Sequence, residues 1–197
     1  AENLTSITYS GTAADIQFQQ SRYINLPLRP ITNYVRAIDL NTPASRQTGN
    51  TNNPPGGPQT GPPAPGLLNQ AVTAQQAALT QPWNGQVELW ITPWGFLKGA
   101  ASNNANARMA KVGGKNYTVL SWSPAVKAPS GASYVINGYI NDQNMIEKVE
   151  TWLQDTVMGD MRIEATYTEW KDFGGVKAPA RIVQKRGELP YFEANIT

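Results

Sequence analysis

The stretch YTEWKDFGGVKAPARIV, residues 167–183, gives the architecture away. After Gly174-Gly175, the residues Val176, Ala178, Ala180 and Ile182 fall on one face of an extended chain, and Lys177, Arg181 and Lys185 on the other. Upstream, Ile163, Ala165 and Tyr167 alternate with Arg162, Glu164, Thr166 and Thr168. Asp172 to Gly175 has turn chemistry, because glycine supplies a positive φ without steric cost. Two such alternations around a turn predict an antiparallel hairpin with one buried and one wet face. Pro179 has no N–H to give to a ladder, so it marks an edge, a bulge or a non-bonded position. The hairpin is a structural signature rather than a site.

The rest of the C-terminal half has the same character. From about residue 108, short β-prone runs are separated by turns: Gly113-Gly114, the KAPSGA segment, the Asn141-Asp142-Gln143-Asn144 tetrad and QDTVMGD. A final strand carries Phe192, Ala194 and Ile196 on one face. Near the N-terminus, strands are expected over roughly 5–18 and 31–40, the second with Ile31, Val35 and Ala37 facing away from Thr32, Tyr34 and Arg36. Residues 42–66 are dominated by Pro, Gly, Asn and Thr and hold little to bury, which predicts an exposed loop or arm. Leu68, Ala71, Val72, Ala78 and Leu79 stand at helical spacing before Pro82. Val87, Leu89 and Ile91 then suggest a strand, and Trp94, Leu97, Ala100 and Ala101 a short helix after Pro93.

These elements predict an α+β domain spanning residues 1–197: a curved, mainly antiparallel sheet, a half-barrel, with one or two helices on its concave face. At 197 residues the chain is long enough for one large domain. Its surface is polar but weakly charged, with 15% charged residues and a formal charge of +2, too little for a nucleic-acid footprint. With no Cys and no His, thiolate nucleophiles, imidazole bases, Ser-His-Asp triads and imidazole- or thiolate-based metal sites are excluded. A carboxylate pair is the remaining enzymatic option. Glu147 and Glu150, however, fall on opposite faces of their strand by alternation, and Glu169 and Asp172 read as surface carboxylates near Lys171. The chain therefore reads as non-catalytic, with no cofactor and no metal. No apolar run reaches the 18 residues or so that a membrane span needs. The opening Ala1-Glu2-Asn3 has the look of an end left by a small-residue cleavage site, which makes export to the periplasm or the extracellular space the expectation.

The segment NGYINDQNMIEKVETWLQDTVMGDMRIEATYTEWKDFGGVKAPARIVQKRGELP, together with ITYSGTA, AIDLNTPASR and LWITPWGFLKGAASNNA, resembles the exported N-terminal region that precedes the catalytic domain in a group of bacterial metallo-β-lactamase-fold hydrolases. It also resembles the half-barrel of periplasmic lipoprotein-localisation factors. The second resemblance implies a curved sheet wrapped around helices and an apolar cavity. The first implies a downstream hydrolase domain as partner, whose metal-binding His/Asp motif has no counterpart among these residues.

Three roles follow as expectations. One is a container for a lipid-like ligand, with Trp90, Trp94, Phe96, Leu97, Trp122, Tyr139, Trp152 and Tyr167 as candidate lining. At roughly 0.8 kcal/mol for each buried methylene, a fatty acyl chain would gain on the order of 10 kcal/mol before ordering costs. Another is an accessory or scaffolding domain that docks a hydrolase domain or identical subunits, the strand LPYFEANIT offering an edge. The third is a fragment of a metal-dependent hydrolase whose catalytic domain lies elsewhere.

Overall fold

In the computed structural model, which describes residues 4–16, 28–51, 70–71, 75–79, 81–156 and 158–197, the hairpin of residues 167–183 sits in a single large sheet. Twelve strands are found among the described residues: β1 (Ser6–Asp15), β2 (Arg29–Asp39), β3 (Ala44–Thr51), β4 (Gln70–Ala71), β5 (Gln75–Ala78), β6 (Asn106–Val112), β7 (Lys115–Trp122), β8 (Ile136–Ile140), β9 (Ile146–Asp155), β10 (Gly159–Asp172), β11 (Lys177–Arg186) and β12 (Leu189–Ile196). Two helices, α1 (Trp83–Trp90) and α2 (Pro93–Ser102), separate β5 from β6. The order across the sheet is β4-β3-β2-β1-β12-β11-β10-β9-β8-β7-β6, with β5 on the β3 side, and every pairing is antiparallel.

This order explains why the fold is a half-barrel rather than a closed barrel. The chain starts mid-sheet and walks out to β3 and β5 at one edge. It crosses through the two helices to β6 at the far edge, then returns strand by strand until β12 pairs with β1. The helices therefore span the concave face. Tyr9, Trp122, Gly138 and Tyr167 of the sheet all meet helix residues there.

The β10–β11 hairpin forms as its residues dictate. Lys177 pairs with Asp172, the Asp172 carboxylate accepts from Gly175 N–H at 2.6 Å, and Gly174 and Gly175 take φ of 69° and 91°. Ile163, Ala165, Tyr167 and Ile182 are buried on the concave face. Pro179 is opposite Trp170 of β10 but lies past the pair Arg181–Asn195, so on the β12 side its missing N–H costs no ladder bond.

Four expectations give way. Residues 44–51, read as the start of a loop, form β3, because their backbone pairs with β2 even though their side chains are mostly polar; residues 52–66 lie outside the described residues. Gln70–Ala71 and Gln75–Ala78, expected in a helix, instead pair with the open side of β3; an unfilled edge overrides helical spacing. The strand expected at residues 87–91 is helical: Trp83, Gln86, Val87 and Trp90 recur at i, i+3, i+4 and i+7 and are all buried. LPYFEANIT is not an edge, since β12 is paired on both sides.

Two bulges change which side chains the concave face receives. In β2 the pairing shifts between Thr32 and Val35, with Asn33 at φ 51°. A bulge of this kind reverses the alternation. Ile31 still points inward, but beyond the bulge it is Tyr34, Arg36 and Ile38 that are buried, while Ala37 is exposed. The expected face of Arg36 is thereby overturned. In β9 the register shifts opposite Tyr139–Ile140, and Glu147 and Glu150 both reach outer-face tyrosines instead of opposite faces.

Candidate functional site

The concave face carries the candidate site, and α1 and α2 cover it. α2 begins at Thr92, whose hydroxyl accepts from Gly95 N–H at 3.1 Å, with Pro93 in the first turn. α1 has little of its own to hold it: eight residues, Pro82 at its N-cap without a side-chain cap, and Gly85 inside. A helix this short is formed by packing rather than by propensity. Its buried Gln86 is satisfied, donating to the carbonyls of Leu79 and Gln81 and accepting from Trp90 Nε1 at 3.2 Å.

Five of the eight expected lining residues gather under or within this cover. Trp90 meets Trp122 edge-on, with ring centroids 5.2 Å apart. Phe96 lies 6.1 Å from Trp122, and Trp94 lies 5.8 Å from Tyr9. Tyr167 donates to the Ile91 carbonyl between the helices. The fit is close, because a methyl added at Gly99 would run into Trp122 and one at Gly138 into Phe96. The remaining three lie elsewhere. Leu97, 39% exposed, is on the solvent side of α2, and Trp152, 43% exposed, is on the outer face opposite Arg162. Tyr139 also faces outward, against Tyr117 and Glu150, where Lys148 sits 4.1 Å over its ring. Period-2 alternation carries Trp152 and Tyr139 to the outer surface because Val149, Leu153 and Gly138 hold the inward positions.

The cover is fastened by side chains rather than by a backbone ladder. Trp83 Nε1 donates to the Trp152 carbonyl at 2.8 Å, and the Asn84 amide donates to the Gln154 carbonyl at 2.6 Å. On the other side Arg36 donates to the Glu88 carbonyl, and Arg186 reaches the Glu88 carboxylate at 2.7 Å.

Arg36 and Glu88 belong to a polar cluster that sequence reasoning missed. Arg36, only 3% exposed, also donates to the Ser45 hydroxyl at 3.0 Å and lies 3.8 Å from the Glu88 carboxylate. Arg186 stacks 3.5 Å from the Tyr191 ring centroid. Tyr9, Tyr34 and Tyr167 adjoin it, and burial pushes all three phenols above their ordinary range, so they stay hydroxyl donors. Burial works against charge on Arg36, but Tyr9, Tyr34 and Glu88 favour it more, and the guanidinium stays protonated. The signal that could have exposed Arg36 was its parity with Ile38 and Leu40, both inward-facing.

On the outer face, an ionic network joins Lys148, Glu150, Arg162 and Glu164, with Arg162 at 2.6 Å from Glu164 and 3.1 Å from Glu150. A groove of about 660 Å³ lies near it, lined among others by Tyr117, Tyr139, Asn141, Glu147 and Trp170. Glu147 accepts from the Tyr117 hydroxyl at 2.6 Å, which pulls its carboxyl below the usual range. Burial raises Glu150, but Tyr139, Lys148 and Arg162 outweigh it and leave it lowered as well. A general acid needs the opposite shift. No cluster of metal-ligating side chains occurs among the described residues, and no helix among them is long and apolar enough to cross a membrane.

The fold and the covered concave face define an open, curved half-barrel with two helices across its concave face. No protein-family model matches the sequence, and no curated protein matches it either. Among solved structures, the chain is similar to a domain described as an outer membrane lipoprotein-sorting protein from Vibrio parahaemolyticus, at 10% identity and TM-score 0.50, over 98% of this chain and 83% of that one. It is also similar to a LolA superfamily protein from Nitrosomonas europaea (10% identity, TM-score 0.47, 99% and 85% covered) and to a DUF1329 family protein from Desulfovibrio piger (8% identity, TM-score 0.48, 100% and 85% covered). The likeness is one of fold. None of these three is described as a metallo-β-lactamase-fold hydrolase.

Proposed function

We propose that this domain is a non-catalytic, exported carrier that holds a lipid-like apolar ligand against the concave face of its half-barrel. One observation carries the reading. The large apolar side chains of α1 and α2 fill the concave face, yet the helices are held there by packing and by separate side-chain hydrogen bonds, with no ladder to the sheet. An acyl chain can therefore take the place of the cover by exchanging one set of apolar contacts for another. Trp122 and Tyr167 on the sheet, with Trp90, Trp94 and Phe96 on the displaced cover, are the lining in this reading. Neither carboxylate nor base is poised for chemistry: the chain has no His or Cys, and Glu147 and Glu150 are held in their ionised form.

The test is uptake of the neutral fluorophore N-phenyl-1-naphthylamine by the full chain, with displacement by hexadecanol. Saturable uptake in the micromolar range with stoichiometric displacement supports the carrier. A folded protein that leaves the probe in water overturns it.

A second reading, docking to a hydrolase domain or to another copy, has the open edge β6 in its favour. There Met109 is 73% exposed and Val112 is 42% exposed. Sedimentation of the wild type and of Met109→Lys separates the two: a purely monomeric wild type removes self-assembly.

A further inference from the structure

The polar cluster under α1 holds more positive charge than negative. Arg36 arrives from β2 and Arg186 from β11, and both reach Glu88, the one carboxylate that pairs with either among the described residues. Two guanidiniums against one carboxylate leave a formal charge of +1 on a largely buried surface. The sharing is also uneven. Arg186 makes a charge-assisted contact of 2.7 Å, whereas Arg36 Nη1 stands 3.8 Å from the other oxygen, beyond hydrogen-bond range. Among the described residues, the Nε of each arginine is buried and has no partner. A guanidinium offers five donors in a fixed fork suited to bidentate carboxylates and phosphates. Here each fork is left with an inner N–H unfilled, at a site where an unpaired buried donor is costly. A purely structural tether for α1 would need only one of the two arginines, since Arg36 already holds the Glu88 carbonyl.

The chemistry of the neighbours is consistent with an anion. Tyr9 and Tyr34 lie beside Arg36 as neutral phenols, so they bring no negative charge to compete with an anion. The Tyr34 hydroxyl is itself already donated to Gln47 Oε1 at 3.2 Å, and Arg186 is steadied by the Tyr191 ring. Apolar side chains flank the cluster on the same face: Ile38 follows Arg36 on β2, and Ile182 precedes Gln184 and Arg186 on β11. A ligand lying here would place a chain on the apolar surface and a head at the arginines.

We infer that Arg36 and Arg186 form the receptor for the anionic head of an amphiphile, and that the Glu88 carboxylate of α1 occupies this receptor until the ligand's own carboxylate or phosphate displaces it. The inference rests on the carrier reading and gives the ligand its class: a single- or double-chain lipid with an acidic head. Because Glu88 sits on the cover, binding of the head releases the same helix that the chain must move. Head recognition and opening become one event.

The experiment compares three ligands of equal chain length on the full protein by probe displacement at pH 8: hexadecanol, palmitate and 1-palmitoyl lysophosphatidate. Both anions are expected to bind at least about tenfold more tightly than hexadecanol, the scale of one hydrogen-bonded charge. Whichever anion binds more tightly identifies a carboxylate or a phosphate as the natural head. Arg186→Met, whose residue is partly exposed and whose loss the fold is expected to bear, should erase that preference while hexadecanol still binds. Glu88→Gln should widen the preference, because the competing carboxylate is gone. Equal binding of all three by the wild type, or a preference untouched by both substitutions, overturns the inference and leaves the carrier standing. Failure of hexadecanol and both anions to bind removes the carrier reading itself.

Discussion

Gly138→Ala probes the seat of the cover most sharply. A methyl at this position would lie 2.8 Å from Phe96 Cδ1 and closer still to Cε1 and Cζ. Carbon atoms prefer separations of about 3.5–4.0 Å. The ring edge must therefore retreat by well over an ångström, and Phe96 is fully buried with Trp122 beside it. Overpacking of this kind costs about 1–3 kcal/mol. For a domain of this size each kcal/mol lowers Tm by about 2–4 °C, so a fall of roughly 2–12 °C is expected. Phe96→Ala alone should cost about 3–5 kcal/mol through the cavity it leaves. In the double variant the new methyl enters that cavity, and the combined loss should fall short of the sum by at least about 1 kcal/mol. Urea denaturation monitored by tryptophan fluorescence gives all three free energies. Additivity within about 0.5 kcal/mol would mean that the methyl and the ring never meet, since it is what independent sites show.

Single contacts give further expected outcomes. Thr92→Ala removes the cap of α2 and should cost about 1 kcal/mol by the same assay, with Thr92→Ser restoring most of it. Trp83→Phe deletes the 2.8 Å bond to the Trp152 carbonyl and should cost about 1 kcal/mol while raising the affinity for an apolar probe, because the cover is then less firmly held. Acid should destabilise the fold through Glu147 and Glu150. Both carboxyls are lowered in the folded state, so their contribution is complete above the ordinary carboxylate range and is lost as pH falls through their lower folded values. Denaturation midpoints measured between pH 7 and pH 3 should decline over that window, and Glu150→Gln should flatten the decline.

What the sequence made legible depended on where alternation was left undisturbed. Over residues 161–168 of β10 and 180–184 of β11 it runs cleanly, and Ile163, Ala165, Tyr167 and Ile182 lie inward as their parity dictates. The half-barrel with helices on its concave face followed from that meander and from the second of the two family resemblances. Where a bulge intervenes, parity misleads. Asn33 at φ 51° reverses β2, so Arg36 read as an outer-face residue although it is the most buried charge of the site. The β9 bulge did the same to Glu147 and Glu150. α1 was hidden for another reason: Val87, Leu89 and Ile91 alternate as a strand would, and all three are buried because the helix has protein on several sides. The partnership of Glu88 with Arg186, 98 residues apart, is set by tertiary packing alone and left no local trace.

Hydrogen exchange of the full chain, with and without saturating palmitate, asks directly whether the helical cover gives way to an acyl chain. If it does, amides of residues 83–102 lose protection when the ligand binds, while β10, β11 and β12 keep or gain it, because the cover leaves the sheet and the acyl chain replaces it. Unchanged protection of both helices in a complex shown by native mass spectrometry to hold palmitate would contradict the exchange of cover for ligand.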